Sequence, residues 1–318
     1  MNMEFDLSKK RHMRSAYGQT LAELGGEFPD MVVLDADLSC STKTVKFSEK
    51  YPDRFFNVGC QEQNLMGMAA GFAVEGRLVF ASCFAMFGAG RGWEQIRNSI
   101  AHDALNVKIV LTHAGLTVGP DGASHQIIED LSLMRAIPGM RIMIPADFEE
   151  TREMIRAVAL MEGPLYMRLC REKTPDIYEE GFEFDLSTPN TLIEGDDVTI
   201  YSNGFMLANA IKAGLELKEN GISARVVDMH TIKPLDNKAV VRDAKETGAI
   251  VTAEDHSILG GLGSAVAEVL SEQHPTPLKR IGVKDQFGIS GPAPELLEAY
   301  ELTSRHIVKA AENALTMK

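Results

Sequence analysis

Short apolar runs alternate with helix-like stretches through the first half of this chain, and that alternation restricts the fold more than any other feature. The runs are Met31-Val-Val-Leu-Asp35, Phe55-Phe-Asn-Val58, Leu78-Val-Phe-Ala81, Lys108-Ile-Val-Leu-Thr112, Arg141-Ile-Met-Ile144 and Leu165-Tyr-Met-Arg168. Strands that alternate with helices imply a mostly parallel sheet covered on both faces. Between them, Leu65, Met66, Ala69, Ala70 and Ala73 recur at helical spacing, so Asn64 to Ala73 reads as a buried helix. Asp147, followed three residues later by Glu150, is a capping-box variant that opens a helix through Leu160. From Lys173 to Thr191 the texture turns to Pro, Glu, Asp and Ser without a sustained period, as in a linker. A second set of strands follows at Asp197–Tyr201, Ala224–Asp228, Ala249–Thr252 and Leu278–Gly282, with helices near Met206–Leu217 and Gly263–Leu270. The expected fold class is therefore α/β, with two domains, each a mostly parallel sheet flanked by helices. Their expected bounds are 1–174 and 192–318, joined by a linker over 175–191.

Composition supports that division and removes several function classes. A chain of 318 residues with 45% hydrophobic content can bury two cores. No apolar run reaches 18 residues, and Met1 to Arg14 lacks the apolar stretch of a secretion signal, so a cytoplasmic location is expected. Cys40, Cys60, Cys83 and Cys170 lie far apart, without the spacing of a zinc knuckle or redox dithiol. The net charge of −13 argues against nucleic acid or an anionic membrane as partner, since both select a basic footprint. An anionic substrate would have to be met by a local cluster of Arg and His.

Ligands of open α/β sheets sit beyond the carboxyl ends of the strands, and four such loops hold unusual residues. They are Asp35-Ala-Asp-Leu-Ser-Cys-Ser41, Gly59-Cys-Gln-Glu-Gln-Asn64, Ser82-Cys-Phe-Ala-Met-Phe-Gly88, and Thr112-His-Ala-Gly115 leading to Gly119-Pro-Asp-Gly-Ala-Ser-His125. Each residue has a bland reading when taken singly. Glu62 at a strand-to-helix junction can interact with helix amides. Phe84 and Phe87, three apart, can be core, Asp121-Gly122 a turn, and His113 and His125 structural. A carboxylate, an aromatic pair and two His-bearing loops at one edge of one sheet shift the balance toward a site. Gly261-Leu-Gly263 lacks the context of a dinucleotide fingerprint and reads as a helix start. The second domain otherwise offers no convergent chemical cluster, so a structural and interface role is expected of it.

The order and spacing of these stretches also carry a family resemblance. Arg14-Ser-Ala-Tyr-Gly-Gln19, Gln61-Glu-Gln-Asn64, Ser82-Cys-Phe-Ala-Met-Phe87 and Asp121-Gly-Ala-Ser-His-Gln126 resemble the pyrimidine-binding domain of the transketolase family. Ile232-Lys-Pro-Leu-Asp236 and Gly260-Gly-Leu-Gly263 resemble its carboxyl-terminal domain. The resemblance runs from about Lys9 to near the end of the chain. In that family thiamine diphosphate binds between two chains, one holding the diphosphate and its metal and the other the aminopyrimidine. The family's Gly-Asp-Gly metal motif has no counterpart here. The resemblance thus implies a carboxyl-terminal half made as a separate subunit, with no metal ligands of its own. A partner, the amino-terminal transketolase subunit, would bring the diphosphate-binding domain and Mg2+ or Ca2+, in an α2β2 heterotetramer acting on sugar phosphates in the pentose phosphate pathway.

By correspondence with the family, Glu62 and His125 would be catalytic. Glu62 would bond the far nitrogen of the aminopyrimidine and favour its imino tautomer, and a buried setting would favour the protonated carboxyl. Phe84 and Phe87 would pack on the ring, adding ~1 kcal/mol beyond area burial, and Asp37 would lie near the cofactor. Gly90 departs from a Tyr common in relatives, which leaves that wall open or filled by another residue. Arg14, Ser41, His113 and Arg171 would bind the donor phosphate, with Asp121 and His125 on the hydroxyls or carbonyl of the sugar. Arg168 is a rival for the phosphate; strand alternation would put it opposite Arg171 if the strand runs that far. The implied reaction moves a two-carbon ketol unit between sugar phosphates. Ala114-Gly115, Asp121-Gly122 and Ser124-His125-Gln126 also resemble 1-deoxyxylulose-5-phosphate synthase, although Thr112-His113 stands where that family typically has Asp-Arg. A 2-oxo acid dehydrogenase beta chain is a more distant alternative. A non-catalytic scaffold subunit is a further one, against which intact Glu62, His113, His125 and Arg171 argue.

Overall fold

The computed structural model describes residues 5–318 and contains two main sheets. The first has seven strands in the order Thr231–Lys233, Arg141–Met143, Leu165–Arg168, Val107–Leu111, Val79–Ser82, Val32–Asp35, Phe55–Asn57. The last six run parallel. Successive side chains of a strand point to opposite faces, and here both faces are covered. Val33, Phe80, Val110, Met143 and Met167 pack on one side with Tyr17, Leu21 and Leu24 of helix Met13–Glu27 and Met154, Ile155 and Val158 of helix Phe148–Ala159. Leu34, Ala81, Ile109, Ile142 and Tyr166 pack on the other side with Leu65, Met66 and Ala69 of helix Glu62–Val74 and with Ile96 and Ile100. Burial on both faces is why these strands read as continuous apolar runs rather than as alternating ones.

The capping box at Asp147 is present in altered form. Asp147 Oδ1 accepts from the amide of Glu150 at 2.8 Å, while Glu150 Oε2 reaches one residue beyond the cap to the amide of Ala146 at 2.6 Å. The helix ends at Ala159, one residue short of the expected end, because the chain caps at Leu160.

The second sheet is ordered Leu278–Val283, Ile250–Ser257, Val198–Ser202, Ala224–Asp228, Asn190–Ile193, with the last strand antiparallel. Two pairings escape a reading of period alone. Thr231–Lys233 leaves the second domain and adds antiparallel to Arg141–Met143, covering the edge of the first sheet. Lys10–Arg11 pairs with Thr174–Pro175, which ties the amino-terminal region to the start of the connecting segment. Tyr201, Val227 and Val266 share one apolar cluster with Leu34 and Ile109, so the two sheets bury a common core. Strand Ile250–Ser257 runs well past the expected Thr252, through Glu254, Asp255 and His256, all buried. That charged trio corrects the expectation that the second domain holds no convergent cluster. Helix Leu262–Gln273 does begin after Gly261, and its amides at Leu262 and Gly263 donate to the Glu254 carboxylate at 2.7 and 2.8 Å. No helix among the described residues is long and apolar enough to cross a membrane.

Candidate active site

Five neighbouring parallel strands end on one edge, and the chain places a chemically distinctive residue just beyond each. Asp37 and Ser41 follow Val32–Asp35, Glu62 follows Phe55–Asn57, and Phe84 and Phe87 follow Val79–Ser82. His113 follows Val107–Leu111, and Arg171 follows Leu165–Arg168. Arg14 reaches the same edge from the first turn of helix Met13–Glu27. Asp37 and His113 both adopt left-handed backbone, with φ of 64° and 60°, a conformation uncommon outside glycine and often found at functional positions.

At one end lies Glu62, the first residue of its helix and 4% exposed. Its carboxylate does not cap the helix. Oε2 accepts from Arg91 Nη1 at 2.7 Å, and among the described residues Oε1 has no hydrogen-bond partner. The dry surrounding expected for Glu62 therefore contains a cation that sequence reasoning missed. Arg91 lies four residues after Phe87 in one irregular helical segment, Met86–Arg91, and its guanidinium sits 5.2 Å from the Phe87 ring. That spacing is the signal that could have found it. From there the aromatic groups form a chain. Phe87 meets His125 edge-on at 5.1 Å, Phe84 meets His125 at 6.4 Å, and Phe84 stacks on His113 at 3.8 Å. A Cβ at Gly90 would meet only Met86 Cε, at 3.7 Å, so the wall there is open.

The other end gathers basic groups. Arg14 donates to the carbonyls of Ser41 at 2.6 Å and Arg171 at 3.1 Å, and His12 Nδ1 lies 3.2 Å from the same Arg171 carbonyl. His12, not singled out in the sequence, stands two residues before Arg14. The Arg171 guanidinium bonds the Val118 carbonyl and lies 3.5 Å from Asp121 Oδ1. Burial, reinforced by Arg14, Arg171, His125 and His12, pulls the His113 imidazole down to about 3. The ring is neutral at physiological pH. Its Nδ1 shares a hydrogen bond with the Thr112 hydroxyl at 2.8 Å, which leaves Nε2 to face a ligand as a neutral donor or acceptor. His113 thus joins the aromatic and basic ends into one site.

Two candidates stand apart from this centre. Asp37 is exposed and bonded to the Asn57 amide at 3.3 Å, beside Cys60, on the outer rim near Glu62. Arg168 is not a rival for an anion. Its strand ends with it, and its buried guanidinium donates to Asp130 Oδ2 at 2.8 Å and to the Asp255 carbonyl at 2.8 Å. Arg171 lies beyond the strand end, where alternation no longer applies.

A two-domain α/β chain that shares a core between its sheets and collects a carboxylate, two aromatic rings and an arginine cluster on one carboxyl edge defines the class of the molecule. Residues 9–176 match the transketolase pyrimidine-binding domain and residues 189–307 the transketolase C-terminal domain. The chain belongs to the transketolase family. It is 41% identical to a 6-deoxy-6-sulfo-D-fructose transketolase subunit from Clostridium sp., covering 100% of this chain and 99% of that one. It is 38% identical to an apulose-4-phosphate transketolase subunit from Phocaeicola vulgatus, covering 94% and 96%. A solved structure described as a split gene transketolase, inactive beta4 tetramer, superimposes with a TM-score of 0.91 at 53% identity, covering 96% of this chain and 99% of that one.

Proposed function

We propose that this chain is the carboxyl-terminal subunit of a two-chain transketolase that moves a two-carbon ketol unit from a ketose phosphate to an aldose phosphate. The observation that carries the reading is a buried carboxylate linked by Arg91 to Phe87, and from there through His125, Phe84 and His113 to an arginine cluster on the same edge. The relatives named as subunits support a division between two chains, and so does the β4 tetramer described as inactive. In this reading 1–174 and 192–318 are the two domains, and an amino-terminal partner holds the diphosphate and its Mg2+ or Ca2+ in an α2β2 assembly.

The residues present fit the pyrimidine end of thiamine diphosphate. Glu62 offers an unshared Oε1, Phe84 and Phe87 are only partly buried, and the backbone at Gly90 leaves room beside them. When bound, this cofactor supplies a carbon nucleophile and electron sink for cleaving the bond next to a ketone. Glu62 would hold the proton at the far nitrogen of the aminopyrimidine, and Phe84 and Phe87 would fix the ring plane. Asp37 would line the outer rim. Arg14, Arg171, Ser41 and the neutral His113 would bind the donor phosphate, where two guanidinium groups supply charge that the chain as a whole, at −13, does not. Asp121 would orient the hydroxyl next to the reacting carbonyl, and His125 would bond a substrate oxygen as the carbon–carbon bond breaks.

The test is to mix the chain with its amino-terminal partner, thiamine diphosphate and magnesium, and to follow ketol transfer from xylulose 5-phosphate to ribose 5-phosphate. Transfer by the pair and none by the chain alone is expected. Full activity from this chain by itself would refute the two-chain reading. Consumption of pyruvate with glyceraldehyde 3-phosphate would assign it to the synthase instead.

A further inference from the structure

The segment Leu116–Asp121 and the loop to His125 carry Asp121, His125 and the Val118 carbonyl that holds Arg171. Within the first domain, Arg171 and Gln126 bond the segment's carbonyls; the amides that begin it are held from the second domain. Asp255, 3% exposed on strand Ile250–Ser257, accepts from the Leu116 amide at 2.8 Å through Oδ1. Its Oδ2 accepts from the Thr117 hydroxyl at 2.7 Å and the Thr117 amide at 3.3 Å. The fit leaves no slack: a Cβ at Gly115, whose φ is 87°, would come within 2.2 Å of Asp255 Oδ2. Two further contacts link the same segment to the second domain, the first through Gln126 of the first domain. Gln126 Nε2 donates to Leu116 O and Gly119 O on one side and to Ile289 O on the other. Ser290 Oγ lies where a Cβ at Gly122 would have to be, at 2.4 Å. Asp255 is itself held, because Arg168 donates to its carbonyl while pairing with Asp130.

We propose that Asp255 is a positioning residue for the donor substrate, acting from the carboxyl-terminal domain by fixing the loop that presents Asp121, His125 and the Arg171 anchor. This rests on the transketolase reading for its substrate, but not for its geometry. Three donors converge on one buried carboxylate, and each comes from the two residues that begin the substrate segment. A carboxylate is required because both oxygens face donors; an amide of the same shape turns one of them into a donor against a donor.

The experiment uses the assembled pair and the variant Asp255→Asn, with amide hydrogen exchange and steady-state kinetics read together. Exchange at residues 115–122 is expected to quicken by about tenfold or more while strand Val107–Leu111 keeps its wild-type protection. The KM for xylulose 5-phosphate is expected to rise by about tenfold, with half-saturation by thiamine diphosphate unchanged within about twofold. Unchanged exchange at 115–122 overturns the proposal. So does loosening spread evenly over the whole chain, or a loosened segment with an unaltered donor KM. Should Asp255→Asn fail to fold, Thr117→Val removes only the hydroxyl donor and must show the same local pattern at about threefold or more; its absence is equally decisive. If the wild-type pair performs no ketol transfer, the functional reading falls, while the exchange measurement still decides whether Asp255 holds the loop.

Discussion

At the scale of single residues, Glu62 and Arg171 bear the two ends of the proposed chemistry. Glu62→Gln keeps the shape and the bond acceptor but removes the transferable proton. Turnover of the assembled enzyme is expected to fall at least about tenfold, or ~1.4 kcal/mol, at saturating cofactor; near-normal turnover would count against the role. The variant also weakens the pair with Arg91, so the cofactor affinity should be measured alongside. For Arg171→Ala the expectation is a large rise in KM for phosphorylated donors and little change for hydroxypyruvate, which has no phosphate. Equal effects on both would remove the phosphate role.

Among elements, the buried pair between strand Leu165–Arg168 and helix Asp130–Arg135 bears most directly on stability. Asp130 receives Arg168 Nε at 2.8 Å and the Tyr166 hydroxyl at 2.6 Å. Burial opposes its ionisation, yet Arg168 and His256 hold its carboxyl below the usual range. Arg168→Met fills similar volume but strands that carboxylate. A loss of ~3–5 kcal/mol is expected in urea unfolding, because removing one partner of a buried pair leaves an uncompensated charge. Arg168→Met with Asp130→Leu should recover part of it, which distinguishes a stranded charge from poor packing.

For the molecule as a whole, the two domains meet at a pair of buried acids. Glu150 lies in the first turn of helix Phe148–Ala159 in the first domain, and Asp228 ends strand Ala224–Asp228 in the second. Asp228 Oδ2 accepts from the Tyr178 hydroxyl at 2.7 Å, while Asp228 Oδ1 and Glu150 Oε1 are buried without a partner; a proton held between the two interacting carboxyls would satisfy both. Burial raises both carboxyls, Asp228 from 3.8 to about 7. A carboxyl held above its ordinary value binds its proton more tightly when folded. Its contribution is complete below about 4 and is lost as pH rises through about 7. The buried His230 and His256, both drawn down to about 4 chiefly by burial, act in the opposite direction. The difference between variants isolates the acid pair. Asp228→Asn supplies the missing donor permanently, so its Tm relative to wild type is expected to climb between pH 5 and pH 8; parallel curves would show that no proton is shared.

The sequence by itself determined the α/β class, six of the strands in the first sheet and the loops that hold the candidate site, because local periodicity and strand-end position suffice for these. Glu62, Phe84, Phe87 and His113 were legible for the same reason, each lying within a few residues of the end of an apolar run, and His125 on the continuation of such a loop; Arg171 was legible only through the family resemblance. Only the tertiary structure decided which residues face one another. Arg91 on Glu62, Arg168 turned inward to Asp130, and Asp255 on the substrate loop are contacts between residues 29, 38 and 138 or more positions apart. The charged trio Glu254, Asp255 and His256 broke an apolar pattern, and its strand looked shorter than it is. Burial of Asp255 is tolerated because donors from the other domain meet it, and that of Glu254 because the helix that follows turns two amides onto it; no property of the local sequence reports a partner as distant as the first.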